Sequence, residues 1–288
     1  MLHSMTGFAR QAAESPIGTL SWELRAVNHR YLDVQFRLPD ELRPKEQAFR
    51  QQVGAVLKRG KVDCVLHFRR TFDQQSDLQL DTRLVNLIAT RLTELAATLP
   101  DVAPANAIDV LRWPGVIAEA EIDAEPLFAE ASTLLAQTLN AIAAMRASEG
   151  ERISTMLESR CIDVANIAKA VRKRLPDVLA AAHSKQRERI AKLGVEADPS
   201  RLEVELALIA QKLDIDEEVD RLDSHLAEIR QVLTSDGPVG RRLDFLMQEL
   251  NREANTIGSK SADTETTKAA VELKVLIEQM REQIQNVE

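Results

Sequence analysis

The chain has 288 residues, a net charge of −8, a hydrophobic fraction of 44% and an aromatic fraction of 3%. This composition is ample for the core of one large domain or two ordinary ones, and it argues against a broad aromatic platform for single-stranded bases. Two distant cysteines, Cys64 and Cys161, argue against a disulfide framework or a zinc knuckle and predict buried thiols in a reducing compartment. No apolar run approaches the ~18 residues that span a bilayer. The first residues also lack the apolar segment of a signal peptide, so we expect a cytoplasmic protein.

Charge is distributed unevenly along the chain. Residues 1–72 hold 12 Lys/Arg and 7 Asp/Glu, a net charge of +5, whereas the remainder holds 25 and 38, a net charge of −13. A basic first part joined to an acidic remainder fits the docking of nucleic acid or another anion on the first part. It fits equally well two surfaces that attract each other within the protein or between subunits.

The first third of the chain has the pattern of an α+β unit. Alternating apolar and polar residues predict strands over 19–27, 31–38 and 61–70, and a short edge strand over 78–80. A helix is predicted over 41–59, which Gly60 ends. A second helix is predicted from Asp81, as its N-cap, to about Leu99.

Beyond a break at 100–104 and a helical turn at 108–114, the pattern is helical from about Glu125 almost to the end. Apolar residues between 128 and 171 alternate at spacings of three and four, the rhythm of a coiled coil, and Pro176 is a position where a helix can kink. Further helices are predicted over 202–233 and 263–287, after a turn at 194–199. The expected fold is therefore α+β: a small N-terminal antiparallel or mixed sheet with helices, then long coiled-coil-like helices and a C-terminal helical domain.

The most informative motif follows Gly237 and Pro238. Its apolar residues, at i, i+3, i+4 and i+7 of a helix, are Leu243, Leu246, Met247 and Leu250. Glu249 and Glu253 are four residues apart, so their carboxylates share one helix face. Two carboxylates with nearby amides suit Mg²⁺ or Mn²⁺. The alternative, which the spacing alone favours, is a solvated face with salt bridges to arginines.

A second candidate lies in residues 214–225, which are rich in acid but lack the glycine of a calcium-binding loop. In a helix, Glu218, Arg221 and His225 share a face. His225 is thus a candidate metal ligand or general acid–base group, supported by Glu218. The alternative is an exposed histidine on a solvated acidic face.

Two further polar segments are candidates for binding an anion. The turn between the first two predicted strands offers several hydrogen-bond donors to phosphate oxygens, and the alternative is an ordinary turn with charged tips. Its donors belong to Arg25, Asn28, His29 and Arg30. Residues 258–261 lack the upstream glycine and strand of a phosphate-binding loop. They are predicted to join the last two helices and to leave Lys260 free to contact an anion.

Motif blocks spread over the whole chain identify a family. In the first half they are Ser4–Phe8, Glu23–Leu32 and Arg59–Val62, and in the second half Arg221–His225, Gly237–Glu249, Asn251–Thr256 and Glu272–Gln283. In these long and specific blocks the chain resembles the bacterial YicC family. The resemblance implies a cytoplasmic, metal-dependent endoribonuclease that assembles into a ring-like homo-oligomer, a hexamer. It also implies a role in RNA turnover, on single-stranded or structured RNA including small regulatory RNAs, and in association with RNA-decay enzymes.

The resemblance turns the candidate segments into a predicted site. The predicted catalytic residues are Glu249, Glu253, His225 and Arg252, and the predicted ligands of Mn²⁺ or Mg²⁺ are Glu249, Glu253, His225 and Glu218. The predicted RNA-binding residues are Arg25, Asn28, His29, Arg30, Arg241, Arg242, Asn251, Asn255 and Lys260. The predicted domains are a basic, RNA-gripping α+β domain over 1–124, a helical hairpin for oligomerisation over 125–200, and a catalytic helical domain over 201–288.

Three alternatives stay open at this point. A metal-free enzyme would use His225 with His29 or another histidine as acid and base on the 2′-OH, and would leave a cyclic phosphate. A non-catalytic RNA-binding adaptor would need the same basic domain and oligomer, but would deliver RNA to another nuclease. A purely structural coiled-coil scaffold would bind RNA weakly and without dependence on salt.

Overall fold

The computed structural model describes residues 2–15, 18–70, 79–99, 103–118, 123–192, 198–235, 237 and 239–288. Its first part is a four-stranded mixed sheet with the strand order β1-β2-β4-β3. The strands are β1 (Gly7–Ser15), β2 (Gly18–Val27), β3 (Leu32–Arg37) and β4 (Gly60–Arg70). β2 pairs antiparallel with both β1 and β4, whereas β3 runs parallel to β4. The predicted small N-terminal mixed sheet is confirmed.

β1 is absent from the predicted elements, because its sequence lacks the pattern of a strand. It is an edge strand in which Ala9 alone is buried, so no alternation of apolar and polar residues marks it. Pairing with β2, from Gly7 opposite Ala26 to Ser15 opposite Gly18, holds it in place. Its conformation therefore depends on a neighbour rather than on its own residues.

The inner face of the sheet packs against helices. A 3₁₀ helix over Asp40–Lys45 precedes α1 (Glu46–Val56). The helix predicted over 41–59 therefore begins later, because Pro44 disfavours α-helical geometry in the residue before it, and it ends at Val56. Trp22 and Phe49 lie fully buried with their ring centroids 5.3 Å apart. The indole N–H of Trp22 donates a hydrogen bond to the Ala131 carbonyl oxygen at 2.9 Å, and so joins the sheet to the long helix described below.

A small helical unit follows the sheet. It contains α2 (Thr82–Thr98) and α3 (Ala107–Leu111), and its two-residue strands β5 (Gln79–Leu80) and β6 (Ile117–Ala118) pair antiparallel. The Asp81 carboxylate accepts hydrogen bonds from the N–H groups of Arg83 and Leu84, as predicted for an N-cap.

The central element is α4, a helix of 69 residues from Ala124 to Lys192 that continues past Pro176. The range 125–200, predicted to be a hairpin, is thus a single helix as far as Lys192. Pro176 does not interrupt the helix, and most of the predicted turn at 194–199 lies outside the described residues. The next helix is α5 (Pro199–Leu213).

The predicted helix over 202–233 is wrong, because α5 ends at Leu213 and α6 (Asp216–Leu233) begins after a short break. The Asp214 carboxylate accepts a hydrogen bond from the N–H of Asp216 at 3.1 Å, and Ile215 is 2% exposed. An acidic residue that bonds to the backbone two residues ahead favours a turn over a continuous helix.

Two hydrophobic cores share α4. The first contains the sheet, α1 and α4 residues between Leu127 and Ile142. The second contains α4 residues between Ile153 and Val171 together with the last three helices. These are α6, α7 (Gly240–Lys260) and α8 (Thr264–Ile284). The division into domains at residues 124 and 200 stays a prediction.

Residues 2–6 and 286–288 meet over α4 between the two cores. Ser4 forms an isolated β-bridge with Val287, and the N–H of Met5 donates to the carbonyl oxygen of Asn286 at 2.7 Å. The buried Arg146 guanidinium donates to the Glu288 carboxylate at 2.8 Å. Among the described residues, no helix is both long and apolar enough to cross a membrane.

Candidate functional site

The candidate site lies between α6 and α7. The predicted apolar stripe of α7 is confirmed, since Leu243, Leu246, Met247 and Leu250 are all fully buried. Glu253 lies three residues beyond Leu250, on the same buried face, and is 2% exposed. The helical repeat thus carries a carboxylate into the packed interface, where an apolar residue would be expected.

Two further side chains lie close to this carboxylate. His225 on α6 and Glu249 and Glu253 on α7 each offer one ligand atom, and these atoms all lie within 4.8 Å of one another. Ligands at about 2.1 Å from an octahedral Mg²⁺ lie about 3 Å apart when adjacent and about 4 Å apart when opposite. We call His225, Glu249 and Glu253 the acidic–histidine cluster. Its atoms are close enough for small side-chain rotations to place them around one cation.

Two arginines flank the cluster. Nη1 of Arg221 lies 3.5 Å from Oε1 of Glu253, and Nη1 of Arg252 lies 4.0 Å from Oε2 of Glu249. The carboxylates of Glu217 and Glu253 raise the pKa of the Arg221 guanidinium above its ordinary value. The charge of the buried Glu253 is therefore partly compensated, which a buried carboxylate requires.

Glu218, the fourth predicted ligand, lies outside the cluster. It precedes His225 by two helical turns, about 10 Å along α6, and its Oε1 atom accepts a hydrogen bond from Nζ of Lys260 at 2.9 Å. Lys260 also donates to the Asp214 carbonyl oxygen at 2.7 Å. The geometry does not support Glu218 as a ligand of the same ion, and the Lys260 ammonium, predicted to be free for an anion, is engaged by two acceptors.

The other predicted RNA-binding residues of α7 lie on its outer side. Arg242 donates from Nε and Nη2 to the Glu228 carboxylate at 3.0 and 2.5 Å, and Arg241 is exposed. Asn255 donates from Nδ2 to Oδ1 of Asn251 at 3.4 Å. Arg242 is therefore paired, whereas the amide side chains bond to each other beside the cluster.

The turn between β2 and β3 is exposed and held by hydrogen bonds. Nδ2 of Asn28 donates to the Gln285 carbonyl oxygen at 2.5 Å. Nδ1 of His29 lies 3.0 Å from the Tyr31 carbonyl oxygen, and the Arg30 guanidinium lies 5.2 Å from the centroid of the Tyr31 ring. Arg25 is exposed opposite Asp63 of β4. These contacts attach the turn to the residues after α8, but they do not bring it to the cluster.

Arg221 is a residue of the site that the sequence alone does not identify. Helical spacing places it on one face with His225 but indicates no role for it. The available signal was the spacing of Glu217 and Arg221, which are four residues apart on α6 and form an ion pair. The approach of Arg221 to Glu253 occurs between two helices and has no counterpart in the local sequence.

Comparison with known proteins adds independent evidence. The family model described as "Endoribonuclease YicC-like, N-terminal region" matches residues 2–155, and the one described as "Endoribonuclease YicC-like, C-terminal" matches residues 171–288. The chain belongs to the YicC-like endoribonuclease family. The resemblance seen in the motif blocks is thereby confirmed, and the cluster lies within the C-terminal match of this YicC-like chain.

Two relatives are similar over their full lengths. The chain is 40% identical over 288 residues to a protein of Haemophilus influenzae, and 32% identical over 293 residues to a protein of Clostridioides difficile. Each alignment covers 100% of both chains. Both relatives carry the name "Probable endoribonuclease YicC".

Proposed function

We propose that this chain is a divalent-metal-dependent endoribonuclease whose catalytic site is the acidic–histidine cluster. The observation that carries the proposal is the approach of three ligand atoms to within 4.8 Å of one another around a glutamate that is 2% exposed. On a solvated, salt-bridged face this carboxylate would be exposed to water, whereas Glu253 lies at a packed helix interface, where carboxylates are rare. Membership of an endoribonuclease family supports the same reaction.

The side chains present fit such an ion. Glu249 and Glu253 supply carboxylate oxygens and His225 supplies an imidazole nitrogen, a mixed set that suits Mn²⁺, whereas Mg²⁺ prefers oxygen ligands alone. When bound, the ion would polarise the scissile phosphate or activate the attacking nucleophile. Arg252, whose side chain is 70% exposed beside Glu249, is placed to donate hydrogen bonds to a phosphate oxygen and to offset its developing charge.

The RNA backbone requires a wider surface than this cluster. We assign it to the basic first part of the chain, through Arg25, Asn28, His29 and Arg30, and to Arg241, Arg242, Asn251, Asn255 and Lys260 of α7. Cationic side chains hold phosphates without reading sequence. Their contribution is expected to fall steeply with salt concentration. Since Arg242 and Lys260 are already paired, RNA would have to compete with their present partners.

The finer assignments follow from the family resemblance. We propose single-stranded or structured RNA as the substrate, including small regulatory RNAs, and a role in cytoplasmic RNA turnover with other RNA-decay enzymes. We further propose a homo-oligomer, a hexamer, built through the long helix α4. A closed ring would gather several basic N-terminal parts around one RNA, although each chain is acidic overall.

The deciding experiment is cleavage of a 5′-labelled structured RNA by wild-type protein and Glu249→Gln. The substitution keeps the size of the side chain but replaces an anionic ligand by a neutral amide, so we expect cleavage to fall at least 100-fold. RNA binding in a gel-shift assay should change little. Each protein is tested with Mn²⁺, Mg²⁺ and EDTA, and the variant, purified in parallel, controls for a contaminating nuclease.

Other results of this cleavage assay would contradict the proposal or support one of the alternative functions. Equal cleavage by both proteins would place the activity elsewhere or assign it to a contaminant. Cleavage in EDTA that leaves a 2′,3′-cyclic phosphate would support the metal-free reaction, although His29 bonds within its own turn rather than to His225. Binding without cleavage would support the RNA-binding adaptor.

A further inference from the structure

We infer that Arg221 is a positioning residue that holds the Glu253 carboxylate ready to bind the divalent cation, and the inference rests on the proposed metal site. Oε1 of Glu253 lies 3.5 Å from Nη1 of Arg221. Nη2 of the same guanidinium donates to Oε1 of Glu217 at 2.5 Å. One planar group therefore bridges an exposed carboxylate outside the cluster and a buried carboxylate inside it.

The shape of the guanidinium explains why this bridge can orient Glu253. The two contacts use different nitrogens of a rigid, planar fork. Glu217 lies one turn before Arg221 on α6, so it fixes one edge of the fork by an ion pair at i, i+4. The other edge then points across to α7, where Glu253 is fixed to the buried face by the packing of that helix.

Arg221 has a second effect on a bound cation, and its sign is opposite. A positive charge beside a cation site repels the ion, so Coulomb's law alone predicts tighter binding when Arg221 is removed. Loss of a group that orients a ligand instead weakens metal binding, typically about 10- to 100-fold. The Arg221 side chain is 51% exposed, so water and salt screen its charge. The direct contact with Glu253 is not screened in this way, and we expect orientation to dominate.

The test is direct titration of the purified full chain with Mn²⁺, in which the electron paramagnetic resonance signal of free Mn²⁺ reports the bound fraction. We expect Arg221→Gln to weaken Mn²⁺ binding about 10- to 100-fold. Arg221→Lys should not restore it, because a single ammonium cannot bridge two carboxylates and still repels the ion. Restoration of wild-type affinity by lysine would show that only the charge is needed.

A second variant changes the ion pair between Glu217 and Arg221 and leaves every residue of the cluster in place. The Glu217 side chain is 71% exposed, so Glu217→Gln is expected to fold normally. It frees the outer edge of the guanidinium and should weaken Mn²⁺ binding several-fold. If Glu217 acts through Arg221, the variant that combines Glu217→Gln with Arg221→Gln should bind Mn²⁺ no more weakly than Arg221→Gln alone, whereas weaker binding would show a separate effect of the Glu217 charge.

Two controls separate this inference from the metal site itself. Arg281→Gln removes an equal charge and another ion pair between helices, at 3.6 Å from Asp244, and should leave Mn²⁺ affinity unchanged. Glu249→Gln should abolish specific binding. If Glu249→Gln abolishes Mn²⁺ binding but Arg221→Gln binds Mn²⁺ normally or more tightly, the positioning role of Arg221 is overturned and the metal site stands. If wild-type protein does not bind Mn²⁺, or Glu249→Gln binds it normally, both proposals fail.

Discussion

Glu253 lies where the apolar stripe of α7 would ordinarily continue, so the candidate site contains a buried carboxylate. Its carboxylate is 2% exposed, and such burial is costly unless charged or hydrogen-bonding partners compensate it. Arg221 provides one partner at 3.5 Å, and the proposed cation would provide another. The same burial that costs stability excludes water from the ligand and strengthens its interaction with a cation.

The two cysteines show a different consequence of burial. Burial raises the pKa of the Cys64 thiol to about 12 and that of Cys161 to about 11, from an ordinary value of 9.0. We expect neither thiol to react with Ellman's reagent in the native protein at pH 8, and both to react after unfolding in guanidinium, because the thiolate is the reactive form. Rapid reaction of either thiol without unfolding would contradict their placement in the two cores.

The same pKa values predict how stability depends on pH. Each folded-state pKa is raised, so the contribution is complete below the unfolded-state pKa near 9 and is lost as pH rises toward 11 or 12. The loss should be smaller in Cys64→Ala than in the wild type. Urea unfolding between pH 8 and 10.5 measures both slopes.

At the scale of elements, the start of α8 is joined to α4 through one side chain. The Asp263 carboxylate accepts hydrogen bonds from the N–H groups of Glu265 and Thr266 at 3.2 and 3.3 Å, and from Nε of Arg174 at 2.7 Å. Partial burial disfavours its charged form, but the bonds from Thr266 and Arg174 outweigh this effect and hold the pKa of Asp263 below its ordinary value. One residue thus caps α8 and attaches it to the long helix.

This arrangement predicts different effects of two substitutions. Asp263→Ala should lower the free energy of unfolding at pH 7 by about 1 kcal/mol or more, because it removes the N-cap. Asp263→Asn keeps a capping oxygen and should cost less. Since the folded-state pKa of Asp263 is depressed, its charge-dependent stabilisation is present above about pH 4 and is lost as pH falls through the folded-state value.

The measurement is urea unfolding at several pH values between 7 and 3.5. The stability difference between wild type and Asp263→Asn should shrink toward the acid end of this range. Equal stabilities of the Asn and Ala variants at pH 7 would show that the cap contributes nothing.

At the scale of the whole molecule, local periodicity predicts most of the elements but not how they pair and pack. β2, β4 and the apolar stripe of α7 bury one face each, so their patterns were visible in the sequence. The edge strand β1 and the break between α5 and α6 were missed, because pairing with a neighbour and a side-chain bond to the backbone determine them. Within the site, helical spacing and family resemblance predict four ligands, of which the structure brings His225, Glu249 and Glu253 together and leaves Glu218 apart. The contacts of Arg221 with Glu253 and of Lys260 with Glu218 depend on how helices pack, which spacing along one helix does not reveal.

The meeting of residues 2–6 with α4 gives a test of how the two cores are joined. At Gly150, an added Cβ would lie 2.0 Å from the carbonyl oxygen of Leu2, too close for any contact between these atoms. Alanine usually stabilises the interior of a helix by up to about 1 kcal/mol relative to glycine. We expect Gly150→Ala to do the reverse and to lower the free energy of unfolding by about 1–3 kcal/mol, because the backbone of residues 2 and 3 must move.

Gly54 provides the matched control, since it also lies within a helix and an added Cβ there would meet Leu32 at an ordinary 3.9 Å. Gly54→Ala should therefore be neutral or stabilising in the same urea unfolding experiment. Leu2 packs in the second core, and β1, which belongs to the sheet of the first core, starts directly after residue 6. Displacement of residues 2–6 should therefore weaken the connection between the two cores. Unfolding of Gly150→Ala in two partly separated steps, one for each core, would reveal this loosening. Equal stability of Gly150→Ala and Gly54→Ala would show that residues 2–6 are not held against α4.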